Sequence, residues 1–138
     1  LDDYGIAAND NLILKLDNID DLTEESKKRI EEFVTKNDLD GIFTVNEFFA
    51  VHATRVLTKL GKKIPEDVSI VCFTDGQLSE NMIPSLTAVS QHGEEMGRKA
   101  ASILIEKLER EDSETAPYDT AYIDTSLVER ESTRKLNR

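Results

Sequence analysis

The chain has 138 residues and a formal charge of −11, from 17 Lys and Arg against 28 Asp and Glu. That length corresponds to about one domain, and the acidic balance excludes a surface of clustered Lys and Arg on which nucleic-acid affinity depends. A hydrophobic share of 38% is enough to bury a core, and no stretch approaches the ~18 apolar residues of a membrane span. The single cysteine, Cys72, excludes an internal disulfide; it fits a reducing cytoplasm and equally a disulfide-free periplasmic protein.

The opening Leu1-Asp2-Asp3-Tyr4-Gly5-Ile6 has neither an initiator Met nor the cationic-then-apolar pattern of a signal peptide. It reads as the last turn of a helix closed by a Gly C-cap, so the chain is expected to start mid-protein. Leu12 to Leu16 reads as a strand, followed by an acidic loop from Asp17 to Leu22. Thr23 is expected to cap a helix running to about Asn37, with Ile30, Phe33 and Val34 as its apolar stripe. Ile42 to Val45 is the next strand, and Asn46-Glu47 at its end opens a helix from Phe48 to Leu60, which Gly61 ends.

A Pro-Glu-Asp turn then enters Val68 to Phe73, an apolar, β-branched run that reads as a strand buried on both faces. Thr74-Asp75-Gly76-Gln77 ends it. A short irregular or helical piece covers Gln77 to Met82, and Pro84 prevents a longer helix. Leu86 to Val89 is extended, and a long helix follows from about Gly93 to Glu109, with Met96, Ala100, Ile103, Leu104 and Leu108 at helical spacing. Arg110 to Pro117 is a charged loop, Tyr122 to Val128 a final strand, and the basic tail from Arg130 to Arg138 is expected to fray. Strands alternating with helices at this spacing predict an α/β fold with a parallel, doubly wound sheet flanked by helices.

In such sheets ligands bind at the carboxyl ends of the strands. Asp17, Asn46-Glu47 and Thr74-Asp75 fall at three such ends and form a polar rim able to hydrogen-bond a hydroxylated ligand. Capping of the following segments is the competing role for Asn46 and Asp75. Cys72, inside an apolar strand and without a Gly-rich elbow, reads as inert packing rather than a nucleophile. Two histidines and one cysteine are too few for a zinc site. The run Asp17 to Asp21 lacks the Gly and terminal Glu of a calcium loop, and the scattered glycines make no phosphate-binding pattern. Neither an enzyme nor a metal or cofactor is expected. The Phe48–Leu60 helix has more apolar groups than one stripe can bury. Phe49, Ala53, Val56, Leu57 and Leu60 can face the sheet, which leaves Phe48, Val51, His52 and Arg55 for another cover, either a partner or the 77–83 loop.

Five segments in order, IPEDVSIVCF, TDG, IPSLTAV, EEMGRKAASIL and SLVEREST, resemble the effector-binding domain of LacI/GalR-type bacterial transcription regulators. The resemblance implies a two-lobe fold of periplasmic-binding-protein type with the ligand between the lobes. Residues 1–90 would belong to the C-terminal lobe, 91–117 to a crossover helix of the other lobe, and 118–138 to the final strand and tail. It implies that Asn46, Thr74, Asp75 and Gln91, with Asp17, contact a small-molecule effector of carbohydrate class. The family has an Asp pair where this chain has Thr74-Asp75, and a hydroxyl is no carboxylate acceptor. His92, next to Gln91, reads as a hinge or cap residue.

The resemblance also implies a homodimer whose interface includes Phe48, Val51, His52, Arg55, Met82 and Ile83. DNA would be reached only through an upstream helix-turn-helix outside these residues, in a cytoplasmic protein with no membrane partner. The helix at 93–109, away from its own lobe, is expected to pack on another copy, to swap between chains, or to be poorly ordered. The rival is one lobe of a periplasmic sugar-binding protein from a transport system, distinguished by a signal peptide instead of a helix-turn-helix. A receiver-type domain is disfavoured, because Asp17, Asn46 and Thr74 do not supply its acidic pair, phosphorylatable Asp and Lys.

Overall fold

The computed structural model describes residues 4, 5, 7, 9–16, 23–110, 117 and 119–134. Helix α1 spans Glu24–Lys36, strand β1 Gly41–Thr44, helix α2 Glu47–Lys59 and strand β2 Ser69–Cys72. The short helix α3 spans Gln77–Asn81, strand β3 Thr87–Ser90, helix α4 Gly93–Glu109 and strand β4 Ser126–Val128. The strands form one sheet in the order β1-β2-β3-β4. β1, β2 and β3 are parallel, with Ile42 beside Ile70 and Cys72 beside Ala88, while β4 runs antiparallel to β3.

Local signals set the helix boundaries. Thr23 Oγ1 accepts from the Ser26 amide at 3.1 Å to start α1, and Asn46 Oδ1 accepts from the Phe49 amide at 3.1 Å to start α2. Each satisfies one of the unpaired donors of a first helical turn. Gly61, at φ 72°, takes the left-handed conformation that closes α2. Both helices lie on one face of the sheet. Ile30 and Val34 from α1 join Phe49, Ala50, Ala53, Val56 and Leu57 from α2 over Ile70, Cys72 and Ala88 to make the core.

The other face is different. Side chains alternate along a strand, so Phe43, Val71, Phe73, Val89 and Leu127 point away from α1 and α2. Phe43 is 62% exposed and Leu127 57%. The expectation that β2 is buried on both faces holds only for the Ile70 and Cys72 side, because among the described residues no helix covers the other.

Three further expectations are corrected. Leu12 to Leu16 is not a strand: Asp10–Leu12 is a 3-10 turn, and residues 13–16 make no ladder although Leu14 and Leu16 rest against the core. Only Ser126–Val128 of the last extended run pairs with the sheet. The tail does not fray at its start, because Ser132 is fully buried and stitched between two strands. Its amide donates to Ser85 O at 2.9 Å, and its carbonyl accepts from the Ile70 amide at 2.9 Å. The hydroxyl donates to Ile70 O at 2.6 Å and accepts from the Thr87 amide at 2.8 Å. Residues 135–138, and the loops expected at 17–22 and 111–116, lie outside the described residues.

α4 has the predicted bounds but buries none of its residues. Met96 is 51% exposed, Leu104 58%, Ile105 55% and Leu108 70%. A crossover between parallel strands needs its helix to lie back on the sheet. α4 does not, and the strand that follows it enters antiparallel.

Candidate functional site

The carboxyl ends of β1, β2 and β3 bring three short polar segments to one rim: Val45 to Glu47, Phe73 to Gly76, and Gln91 with His92. Hydrogen bonds sew them together. Thr74 Oγ1 donates to Val45 O at 3.3 Å, and Gln91 Nε2 donates to Phe73 O at 3.3 Å. Glu47 Oε1 accepts from the amides of Gly76 at 2.9 Å and Ser79 at 2.7 Å. The carboxylate therefore straps the start of α2 to the first turn of α3, where unpaired amides favour an anion. A Cβ at position 76 would stand 2.6 Å from Glu47 Oε2, so a side chain there would push the carboxylate out of its present place.

Of the residues expected at the effector site, Asn46, Thr74 and Gln91 come together on this rim. Asn46 also serves as the α2 cap. Asp75 turns towards the C-terminal segment, where its carboxylate lies 2.7 Å from the Arg130 guanidinium, an ion pair without hydrogen-bond alignment. Both side chains are largely buried. Arg130 also donates to Leu86 O at 2.8 Å and lies 3.6 Å from Glu80. Asp17 lies outside the described residues. His92 sits at the start of α4 with φ 51°, and its Nε2 lies 3.0 Å from Ser126 Oγ. It joins the ends of β3 and β4 without capping α4 through its side chain.

Sequence reasoning placed Glu47 on the rim without its strap, and it missed Arg130 and Ser132. The signal for Glu47 was an acid in the first turn of a helix. Nothing short-range marks Arg130 or Ser132, whose partners lie more than forty residues away.

The second group, expected at a dimer interface, divides by exposure. Phe48 is 55% exposed and Ile83 93%. Arg55 is exposed, while Val51, His52 and Met82 are half-buried. The Glu47 strap ties the start of α2, where Phe48 lies, to the first turn of α3, which ends two residues before Ile83. His52 Nε2 lies 3.2 Å from Lys27 O of α1, and burial holds its imidazole pKa below the ordinary range. Burial raises the Cys72 thiol, as expected of an inert packing residue. Among the described residues no cluster of His, Cys, Asp or Glu could hold a metal ion, and no helix is long and apolar enough to cross a membrane.

Residues 7–133 match the model of the periplasmic binding protein-like domain family. The chain belongs to that family. Its relatives are LacI/GalR-type transcription regulators. It is 32% identical over 125 residues to the ribose operon repressor of Halalkalibacterium halodurans, covering 90% of this chain and 36% of the relative. The solved complex of the transcriptional regulator CelR with cellobiose superposes with a TM-score of 0.77 at 29% identity, over 94% of this chain and 38% of that one. A putative LacI-family regulator from Sanguibacter keddieii gives 0.79 at 26% identity, over 96% and 49%. These relatives are regulators, which disfavours the transport alternative. This periplasmic binding protein-like chain spans about a third of the length of the curated relatives it matches.

Proposed function

We propose that this chain is the larger part of the C-terminal lobe of the effector-sensing unit of a LacI-type regulator. In this reading it is a dimerising sensor and not an enzyme. The observation that carries it is the rim of Asn46, Thr74 and Gln91 at the ends of three parallel strands, in a chain related to a ribose operon repressor and to CelR, solved with cellobiose. The effector is of carbohydrate class: amide and hydroxyl groups on a rim suit ligand hydroxyls, and an unmatched partner there is costly. Thr74, where the family has a carboxylate, gives up one charged acceptor and with it the hydrogen bonds worth most. Asp75 acts as a positioning residue, holding the β2–α3 loop through Arg130.

Effector binding between the lobes shifts a population of conformations, and the coupling is the difference in affinity between them. DNA recognition falls to another module, because this chain is strongly acidic. The proposed dimer surface runs along Phe48, Val51, His52 and Arg55 of α2 to Met82 and Ile83, with exposed Phe48 and Ile83 as apolar anchors. α4 belongs with the second lobe. In a cytoplasmic regulator of this kind no membrane is involved.

Light scattering on the 138-residue chain, with and without Arg55→Glu, tests the interface. The expected result is a dimer whose dissociation constant rises at least ~10-fold in the variant, since the reversal replaces a cation on each of two strongly acidic surfaces with one more anion. A monomer in both cases removes α2 from this role. Thr74→Val tests the rim: in a regulator polypeptide carrying both lobes, operator release by the effective sugar should need ~10-fold more sugar for each lost hydroxyl contact of about 1.4 kcal/mol.

A further inference from the structure

The hydrogen-bond partners on the polar rim fix which of its groups can still give a proton and which can only receive one. A backbone carbonyl can only accept. Thr74 Oγ1, 3.3 Å from Val45 O, must therefore be the donor, and its proton is committed to the end of β1. What the hydroxyl keeps for a ligand is its lone pairs. Gln91 repeats the pattern. Its Nε2 donates to Phe73 O at 3.3 Å, which turns Oε1 away from that carbonyl on an exposed side chain. Two side chains able to donate or accept are thus each held with an oxygen available to a ligand.

Other donors at the rim are committed within the protein too. The Gly76 and Ser79 amides go to Glu47 Oε1 at 2.9 and 2.7 Å, the Phe49 amide to Asn46 Oδ1 at 3.1 Å, and the Phe73 amide to Thr44 O at 2.8 Å. The Ser79 hydroxyl donates to Thr74 O at 3.1 Å. Cations are no more available. The three rim segments, 45–47, 73–76 and 91–92, contain no Lys or Arg, and Arg130 is engaged by Asp75, Glu80 and Leu86 O. Glu47 and Asp75 add carboxylates, on a chain of formal charge −11. An anion on such a rim meets oxygens and negative charge, with no cation to offset its lost hydration. A hydroxyl meets the reverse, because it can donate to either oxygen and stay neutral.

We propose that the rim selects an uncharged, hydroxylated edge of the effector: two ligand hydroxyls donate to Thr74 Oγ1 and Gln91 Oε1, and a phosphate or carboxylate group is rejected at this position. Thr74 is then a specificity-determining residue, acting through its lone pairs and not through its proton. Val45 O and Phe73 O set that polarity by holding the protons of Thr74 and Gln91. This rests on the reading of the rim as the effector site, and it fixes the direction of the hydrogen bonds and excludes anionic sugar groups there.

The test is an NMR titration of the 138-residue chain that follows the amides of Thr74 and Gln91. The Glu66 amide, on a turn before the opposite end of β2, is the reference. The probes are cellobiose, ribose and inorganic phosphate, the last against chloride at equal ionic strength. A single lobe binds weakly, so each probe is carried to about 0.2 M. At least one sugar should give saturable shifts at Thr74 and Gln91 but not at Glu66, with a dissociation constant ~10-fold or more below that of phosphate. In Thr74→Val the constant for that sugar should rise ~10-fold. Thr74→Asp, an acceptor with no proton at neutral pH, should bind the sugar at least as tightly as the parent chain. Phosphate that saturates the rim as readily as the sugar would overturn the exclusion of anions. Thr74→Asp as weak as Thr74→Val would make the hydroxyl a donor and overturn the assigned direction, and an unchanged constant in Thr74→Val would remove Thr74 from the contact. In each of those cases sugar binding leaves the effector-site reading standing. The absence of a saturable shift with either sugar would overturn that reading and the proposal together.

Discussion

α2 and α4 are both amphipathic helices opened by polar residues after a parallel strand, yet α2 buries six residues and α4 none. Ala50, Ala53, Val56 and Leu57 of α2 meet the sheet, whereas Met96, Leu104 and Leu108 of α4 meet solvent. Apolar spacing therefore specifies that a helix has a buried face without specifying what buries it. The partner of α2 follows it within ten residues, in β2, and the chain must fold back to reach it. Among the described residues only Ile123 comes up beside α4, near Glu95, Arg98, Lys99 and Ser102, and it buries none of the helix.

The contrast is sharpest in paired truncations. Leu57→Ala should lower unfolding free energy by about 2–5 kcal/mol, the transfer and cavity cost of a core leucine. Leu104→Ala should change it by no more than ~0.5 kcal/mol, as on an open surface. Urea unfolding of both variants checks this. A large cost for Leu104→Ala that grows with protein concentration would break the comparison and give α4 a second copy as its cover.

Ser132→Ala comes next in size. It removes the acceptor of the buried Thr87 amide and the donor to Ile70 O, at a cost of about 1–3 kcal/mol. Faster proteolysis confined to residues after Ser126 would show the loss as local release of the tail.

Asn46→Ala should cost about 1 kcal/mol through the lost α2 cap. Asn46→Asp keeps an acceptor at the helix start and should restore most of that stability. If Asn46 also holds the effector, Asn46→Asp will still alter the sugar response, which separates the two roles.

The smallest effect concerns His52. Burial lowers its folded pKa below the ordinary value of 6.5, so folding favours the neutral ring. Its contribution is present above the unfolded pKa and is lost as pH falls through 6.5 towards the lower folded value. Unfolding midpoints should drop slightly more between pH 7.5 and 5.5 in the parent chain than in His52→Gln, which carries no titrating ring.

Most of what was legible rested on short-range signals. The caps at Thr23 and Asn46 and the bounds of α4 followed from neighbouring residues. The polar rim followed from strand ends in a parallel sheet. Leu12 to Leu16 misled because five apolar-rich residues resemble a strand whether or not a neighbour offers its edge. The pairing of Asp75 with Arg130 was not legible because the two are distant in sequence.

By itself the sequence determined the helices, the three parallel strands and the acidic character that rules out a nucleic-acid surface. Periodicity, caps and charge act over a few residues and are written in the chain. Tertiary structure alone decided that Ser132 closes the gap between β2 and β3, that Arg130 takes Asp75, and that Phe43 and α4 are left uncovered. Those outcomes depend on which distant backbone groups meet, and a buried polar group or an apolar face is satisfied by whatever element the fold brings to it.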